Sequence, residues 1–139
     1  MSLRRRDSGV DLSGLRGDVL RDLKLMAAEY FAIFRVPLVV NSALRSWAKQ
    51  SELFAISPKI AARPGRSMHQ FGYAFDVDSV HADRLDRAGL LKKYGFYRPV
   101  GSEGWHIERS GLVYSAVRRA GGIGAIVAIG ILVFIIFRR

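Results

Sequence analysis

The chain has 139 residues, half of them hydrophobic, which is enough for one domain with a buried core and excludes a disordered protein. It contains no cysteine, so disulfide frameworks, zinc ribbons and thiol nucleophiles are excluded, and any metal must be held by His, Asp or Glu. The formal net charge of +10 favours an anionic partner such as nucleic acid, acidic lipid or a cell-wall polymer, unless it serves solubility alone.

The first half of the chain is predicted to form two helices around a short strand. Residues 1–14 are basic and polar and lack the apolar region of a secretory signal. Residues 15–34 predict a helix, because apolar side chains recur at three-to-four spacing. Residues 37–42 predict a buried strand, and residues 46–56 predict a second helix with Ser46 as its N-cap.

A loop at 58–65 is predicted to lead towards a strand at 73–78. Alternation in this strand puts its larger apolar side chains on one face and the carboxylates of Asp76 and Asp78 on the other. Residues 80–93 then predict a single helix.

Two further strands are predicted between residues 94 and 108. Residues 94–99 predict a turn into an edge strand, and WHIE predicts a further strand. Its alternation places Trp105 and Ile107 inward, with His106 and Glu108 on the opposite face. This mixture of helices and short strands predicts the α+β class.

The composition changes after this domain. We predict a catalytic domain at 1–112, a basic linker at 113–120 and a single transmembrane helix at 121–137, which is charge-free and bracketed by arginine pairs. The alternative is a buried C-terminal core helix. Small residues at every fourth position provide a face for self-association: Ala120, Gly124 and Ala128. Counts of flanking arginines favour a cytoplasmic domain by one residue, which leaves the orientation open.

A catalytic zinc site commonly has three protein ligands and one open position. The chain offers such a set in two histidines and one aspartate: His69, Asp76 and His106. Asp78 is a competing carboxylate on the same strand face, and Glu103 can take a proton from water at the metal. The alternative is a structural histidine pair beside solvated aspartates. His81, next to a helix start without a matching partner, is assigned no function.

Two motifs support the metal interpretation. S-x-H-x-x-G-x-A-x-D at 67–76, followed by E-x-W-H at 103–106, resembles the VanY-like zinc peptidases. These include D-alanyl-D-alanine carboxypeptidases, VanX-type dipeptidases and phage L-alanyl-D-glutamate endopeptidases. The segments SALRSWAKQSELFA, PGRSMHQFGYAFDVD and YGFYRPVGSEGWHIE extend the resemblance over roughly residues 12–110. It implies the small α+β fold shared with the Hedgehog N-terminal domain.

The resemblance also implies a role for each matching residue. The histidine–aspartate–histidine set would hold Zn2+, and Glu103 would be the catalytic base and then the acid. Arg45 would face the substrate carbonyl and stabilise the developing oxyanion. Ser67 and Gln50 would contact the substrate or support the site.

The function predicted from these features is a zinc metallopeptidase that cleaves stem or cross-bridge peptides of peptidoglycan. We expect a membrane-anchored, phage-type lysin in a host or viral membrane, with the cleaved bond left open between L-Ala–D-Glu and D-Ala–D-Ala. One alternative is a non-catalytic, metal-containing wall-binding module, which the retained Glu103 and Arg45 disfavour. The other is a nucleic-acid-binding protein, which the lack of an aromatic-basic stacking motif disfavours.

Overall fold

The computed structural model describes residues 1–99, 101 and 103–111. The helices are α1 (Gly17–Phe34), α2 (Trp47–Ile56), α3 (Ser79–Arg87) and α4 (Leu90–Lys93), and a short 3₁₀ helix covers Met68–Phe71. The strands are β1 (Leu3–Arg5), β2 (Leu38–Ser42), β3 (Ala74–Val77), β4 (Phe96–Tyr97) and β5 (His106–Arg109). This composition confirms the predicted α+β class.

The five strands form one mixed sheet in the order β1-β2-β3-β5-β4. β1 runs parallel to β2, whereas the other neighbouring pairs are antiparallel. One face of the sheet carries Phe75, Val77 and Ile107, which are fully buried in a hydrophobic core shared with α1. The buried stripe of α1 follows helical spacing: Val19, Leu23, Met26, Ala27 and Tyr30.

The opposite face of the sheet is polar. Antiparallel pairing sets Asp76 of β3 directly across from His106 of β5, and Ala74 across from Glu108. Glu108 is in turn paired with Tyr97 of β4. Because cross-strand partners project to the same side of a sheet, these side chains form one polar cluster on the face away from the core.

The predicted boundaries of α1 and α2 are confirmed to within two residues. α1 ends at Phe34 because Arg35 takes a left-handed conformation, with φ 57°, and Pro37 cannot extend a helix. The hydroxyl of Ser46 accepts a hydrogen bond from the Lys49 amide at 3.1 Å and caps α2, as predicted.

Two sequence-based expectations are wrong. The predicted helix over 80–93 is two helices, because Gly89 adopts a left-handed conformation with φ 70° and breaks the hydrogen-bond ladder. Trp105 does not point into the core; it precedes β5 and is 39% exposed. His81, which was assigned no function, lies with its Nδ1 2.6 Å from the Tyr30 hydroxyl. In addition, β1 formed from the N-terminal segment, where no element was predicted.

The predicted linker at 113–120 and transmembrane helix at 121–137 lie outside the residues that the structure describes. Within the described ranges, no helix combines the length and the apolar character needed to cross a membrane.

Candidate metal centre and active site

Three ligand atoms converge on the polar face of the sheet. His69 Nε2 lies 3.1 Å from Asp76 Oδ1 and 3.2 Å from His106 Nδ1, and His106 Nδ1 lies 2.9 Å from Asp76 Oδ1. All three residues are buried. Of the residues described, these form the group that can hold a metal ion.

The 3₁₀ helix that carries His69 is held by a glycine with no room for a side chain. Gly72 ends this helix in a left-handed conformation, with φ 71°. A Cβ there would lie 2.5 Å from the Gly14 carbonyl oxygen and 2.9 Å from the Arg16 amide nitrogen. The Arg16 amide also donates to the Gly72 carbonyl at 3.1 Å. The motif glycine therefore lets the N-terminal segment pack directly against the loop that presents His69.

Hydrogen bonds to the outer ring nitrogens fix both imidazoles. His69 Nδ1 lies 2.7 Å from the carbonyl oxygen of Ala43, which can only accept, so this nitrogen carries the proton. His106 Nε2 lies 2.8 Å from a carboxylate oxygen of Glu108, which fixes a proton there in the same way. Both arrangements leave His69 Nε2 and His106 Nδ1 as the inward nitrogens, which are the atoms that would bind a cation.

The donor set fits zinc. Two neutral imidazoles and one carboxylate are ordinary zinc ligands, and bonds of about 2.0–2.2 Å place tetrahedral ligand atoms roughly 3.3–3.5 Å apart. The separations of 2.9–3.2 Å in the cluster need an expansion of only a few tenths of an ångström. His69, Asp76 and His106 all line the cleft described below, so a metal held by them would be accessible to water and substrate.

The charges of the cluster are strongly coupled. Burial by itself would raise the pKa of the Asp76 carboxyl, but His69 and His106 outweigh burial and lower it. Burial likewise disfavours charge on His106, yet hydrogen bonds to Asp76 and Glu108 raise its pKa to about 9. A proton and a metal ion compete for the inward ring nitrogen of His106, so zinc affinity is expected to fall as the pH falls.

The cluster lies at the base of an open cleft of about 680 Å³. Its walls come from the end of α2, the loop that follows, the 3₁₀ helix and the start of β5. The residues that line it are Arg45, Leu53, Ser57, Lys59, Ile60, Ala61, Ala62, Arg66, Ser67, Met68, His69, Asp76, Glu103, Trp105, His106 and Glu108. A buried metal-binding group, a carboxylate and a guanidinium thus share one solvent-accessible cavity, which is the usual setting of an enzyme site.

Comparison with known protein families decides the assignment. The family model described as VanY, D-alanyl-D-alanine carboxypeptidase, matches residues 13–111. The chain belongs to the VanY family. It is accordingly a zinc-dependent peptidase that acts on peptidoglycan. No protein of curated function gave a significant match to the sequence.

Solved structures show the same fold. The L-Ala D-Glu endopeptidase ChiX of Serratia marcescens is 21% identical with a TM-score of 0.54, over 76% of this chain and 90% of that one. The L,D-carboxypeptidase DacB of Streptococcus pneumoniae is 26% identical with a TM-score of 0.50, over 78% and 73%. A D,D-pentapeptidase VanY of a VanB-type vancomycin resistance cassette, solved with Zn(II), is 23% identical with a TM-score of 0.55, over 76% and 78%.

In this VanY-family site, Arg45 lies where α2 approaches the metal-binding group. Its Nη2 is 3.4 Å from Asp76 Oδ2 and 3.3 Å from the Ser42 hydroxyl, and its Nη1 donates to Gln50 Oε1 at 3.0 Å. Burial lowers the pKa of the Arg45 guanidinium, while the carboxylates of Asp76 and Glu103 favour its charged form. Arginine stays protonated in proteins, so the cleft keeps a fixed positive charge beside the metal-binding group.

The two residues predicted to contact substrate or support the site differ in position. Gln50 is fully buried and does not line the cleft. Its amide nitrogen donates to the Ala62 carbonyl at 2.6 Å and its oxygen accepts from Arg45, so it ties the guanidinium to the loop after α2. Ser67 is buried at the start of the 3₁₀ helix and does line the cleft.

Two other carboxylates near the metal-binding group, those of Asp78 and Glu103, lie in different places. Asp78 is outside the group, because β3 ends at Val77 and the Asp78 carboxylate accepts from the Asn41 amide at 2.7 Å. Glu103 lines the cleft, and its backbone carbonyl accepts the His106 amide at 3.0 Å, which ties the loop before β5 to the metal-binding strand.

Sequence reasoning assigned no role to Glu108 or to the Ala43 carbonyl. The alternation His-x-Glu along β5 was a usable signal for Glu108, because residues two apart on a strand share a face. No pattern in the sequence could have indicated the Ala43 carbonyl, since any residue type supplies a backbone oxygen.

Proposed function

We propose that this chain hydrolyses an amide bond in peptidoglycan peptides, either the L-Ala–D-Glu bond of the stem or the D-Ala–D-Ala bond. The observation that carries the proposal is one cleft that combines a metal-binding group with a free carboxylate, Glu103, and a guanidinium, Arg45. A wall-binding module would need neither a base nor an oxyanion donor.

The residues in and around the metal-binding group divide the tasks of this reaction. His69, Asp76 and His106 would hold zinc, which supplies Lewis acidity that polarises water and the substrate carbonyl. The Glu103 carboxylate accepts a proton from the attacking water and then delivers it to the leaving amine. The Arg45 guanidinium donates to the carbonyl oxygen as negative charge develops there. Gln50 and Ser42 hold the guanidinium in place through the contacts described above.

The charge of the cleft wall supports an anionic peptide as the substrate. Lys59 and Arg66 line the cleft and are exposed, and no carboxylate in the described ranges forms an ion pair with either. Two cations that no described carboxylate neutralises favour ligands with carboxylates, and peptidoglycan stem peptides carry several. Trp105 adds a partly exposed aromatic surface to the same wall.

Digestion of purified peptidoglycan tests this function. The fragments would be separated and their masses measured, and the new termini would identify the bond that is cut. A new N-terminal D-Glu supports endopeptidase action, whereas release of free D-Ala supports carboxypeptidase action. Intact peptidoglycan after incubation with zinc-loaded protein would contradict both.

The Arg45 role makes a specific prediction. We expect Arg45→Ala to reduce turnover about 100- to 1,000-fold, the typical cost of one lost oxyanion donor, while stoichiometric zinc is retained. Turnover and zinc content would be measured on the same preparation. Arg63→Ala is the matched control, because Arg63 is exposed and does not line the cleft. Unchanged turnover in Arg45→Ala would contradict the oxyanion role.

We also propose that the enzyme is a phage-type lysin held to a membrane by residues 121–137. The sequence supports this, since the segment has no charge over 17 residues and arginine pairs flank it. The small residues Ala120, Gly124 and Ala128 would provide a surface for pairing of two such helices.

Membrane fractionation tests the anchor. We expect the full chain to stay with membranes after high-salt and carbonate washes, because an inserted apolar helix is not released by either. A chain that ends at Val117 should instead remain in the supernatant. If both chains are recovered in the supernatant, the anchor is wrong and the segment has another role.

A further inference from the structure

A second carboxylate is buried within the active site but is not part of the metal-binding group. Glu108 is 5% exposed, and its Oε1 lies 2.8 Å from His106 Nε2. The hydroxyl of Tyr97 donates to the other oxygen, Oε2, at 3.4 Å. Burying a carboxylate costs free energy unless the group is paired, so the presence of Glu108 at this buried position needs an explanation beyond packing.

The contact of Glu108 with the imidazole ring of His106 provides that explanation. A neutral imidazole has one protonated nitrogen and one lone pair, and a hydrogen-bond partner determines which is which. The lone pair needed for the metal is on His106 Nδ1, the atom that approaches Asp76 and His69. A carboxylate on Nε2 can only accept, so it keeps a proton on Nε2 and makes Nδ1 the nitrogen that would give its lone pair to a cation.

The sheet register places Glu108 where it can act in this way. Glu108 lies two residues after His106 on β5, on the same face, and is paired with Ala74 on β3. The small alanine side chain leaves space for the carboxylate beside the ring. A larger side chain at position 74 would lie on the same face within about 5 Å of Glu108 and would compete for this space.

We propose that Glu108 is a positioning residue that orients His106 and fixes its tautomer for zinc binding, distinct from the general base Glu103. It is not a zinc ligand, because it contacts the ring nitrogen on the far side from the ligand atom. This inference rests on the proposed assignment of His106 as a ligand.

A pair of substitutions with similar side-chain size isolates the acceptor. Glu108→Gln keeps an oxygen that can accept from Nε2, whereas Glu108→Met fills the space but cannot accept. With zinc alone as the probe and a chromogenic chelator as competitor, we expect Glu108→Met to weaken zinc binding 10- to 100-fold. Glu108→Gln should stay within a few-fold of the unmodified protein. Thermal melting of the metal-free proteins would verify that all variants are folded.

Two results would overturn the inference: zinc affinity in Glu108→Met equal to that of the unmodified protein, or equal losses in Glu108→Met and Glu108→Gln. The exposed Glu52→Met serves as a control for a glutamate-to-methionine change elsewhere. Because the assay contains no substrate, failure of peptidoglycan cleavage does not affect it. If His106→Ala binds zinc normally, the ligand assignment fails; if only Glu108→Met does, the positioning role fails.

Discussion

Replacing His106 with alanine is expected to abolish stoichiometric zinc binding. The substitution removes one of three ligands and leaves a histidine and a carboxylate, which is below the set that holds catalytic zinc. It also leaves Glu108 buried without its ring partner. Elemental analysis of the purified variant after dialysis against zinc-free buffer would measure the loss. The unmodified protein, treated in the same way, should retain about one zinc ion per chain.

The aspartates provide a matched comparison for the same site. Asp76→Ala should lose zinc as His106→Ala does, because Asp76 Oδ1 lies within 3.1 Å of both histidine nitrogens. Asp78→Ala should retain zinc, since its carboxylate contacts Asn41 instead. Retention of zinc by Asp76→Ala together with its loss from Asp78→Ala would show that the ligand assignment is wrong.

Changing Glu103 to glutamine is expected to lower turnover by about 100- to 10,000-fold, the usual contribution of a positioned general base. The amide has nearly the same shape as the carboxylate but cannot accept the proton from water. Zinc content and melting temperature should not change, because the Glu103 side chain is outside the metal-binding group and its backbone contact to His106 is preserved.

Glu52→Gln is the control for this change, because Glu52 is exposed on α2 and pairs with Lys49 at the surface. A Glu103→Gln protein with full activity would remove the general-base role from Glu103. Glu103→Gln and Glu108→Met should therefore show opposite patterns. The first retains zinc affinity and loses turnover, and the second loses zinc affinity.

The residue types of the site could be predicted from the sequence because they lie in short, local sequence motifs. The two motifs by themselves identify His69, Asp76, Glu103 and His106 as the candidate site residues. The apolar spacing of α1 and the Ser46 cap of α2 also depend only on neighbours within a few residues, so they were readable. The family membership follows from the same motifs.

The sequence pattern did not indicate that the helix predicted over residues 80–93 is interrupted. Apolar periodicity continues through the segment, and a single glycine is tolerated in many helices, so the left-handed conformation of Gly89 was not evident from the pattern. Strand β1 was missed because LRR has no apolar alternation; it is a strand only because β2 provides a parallel partner.

The sequence by itself determined which residues could hold zinc and move protons, since those capacities belong to the side chains. The motif already favoured Asp76 over Asp78, and the tertiary structure adds a physical reason, because β3 ends at Val77 and its register with β5 sets Asp76 across from His106. Only the tertiary structure decided which ring nitrogen of each histidine faces the Asp76 carboxylate. That depends on the Ala43 carbonyl and on Glu108, which reach the rings only after the strands have paired.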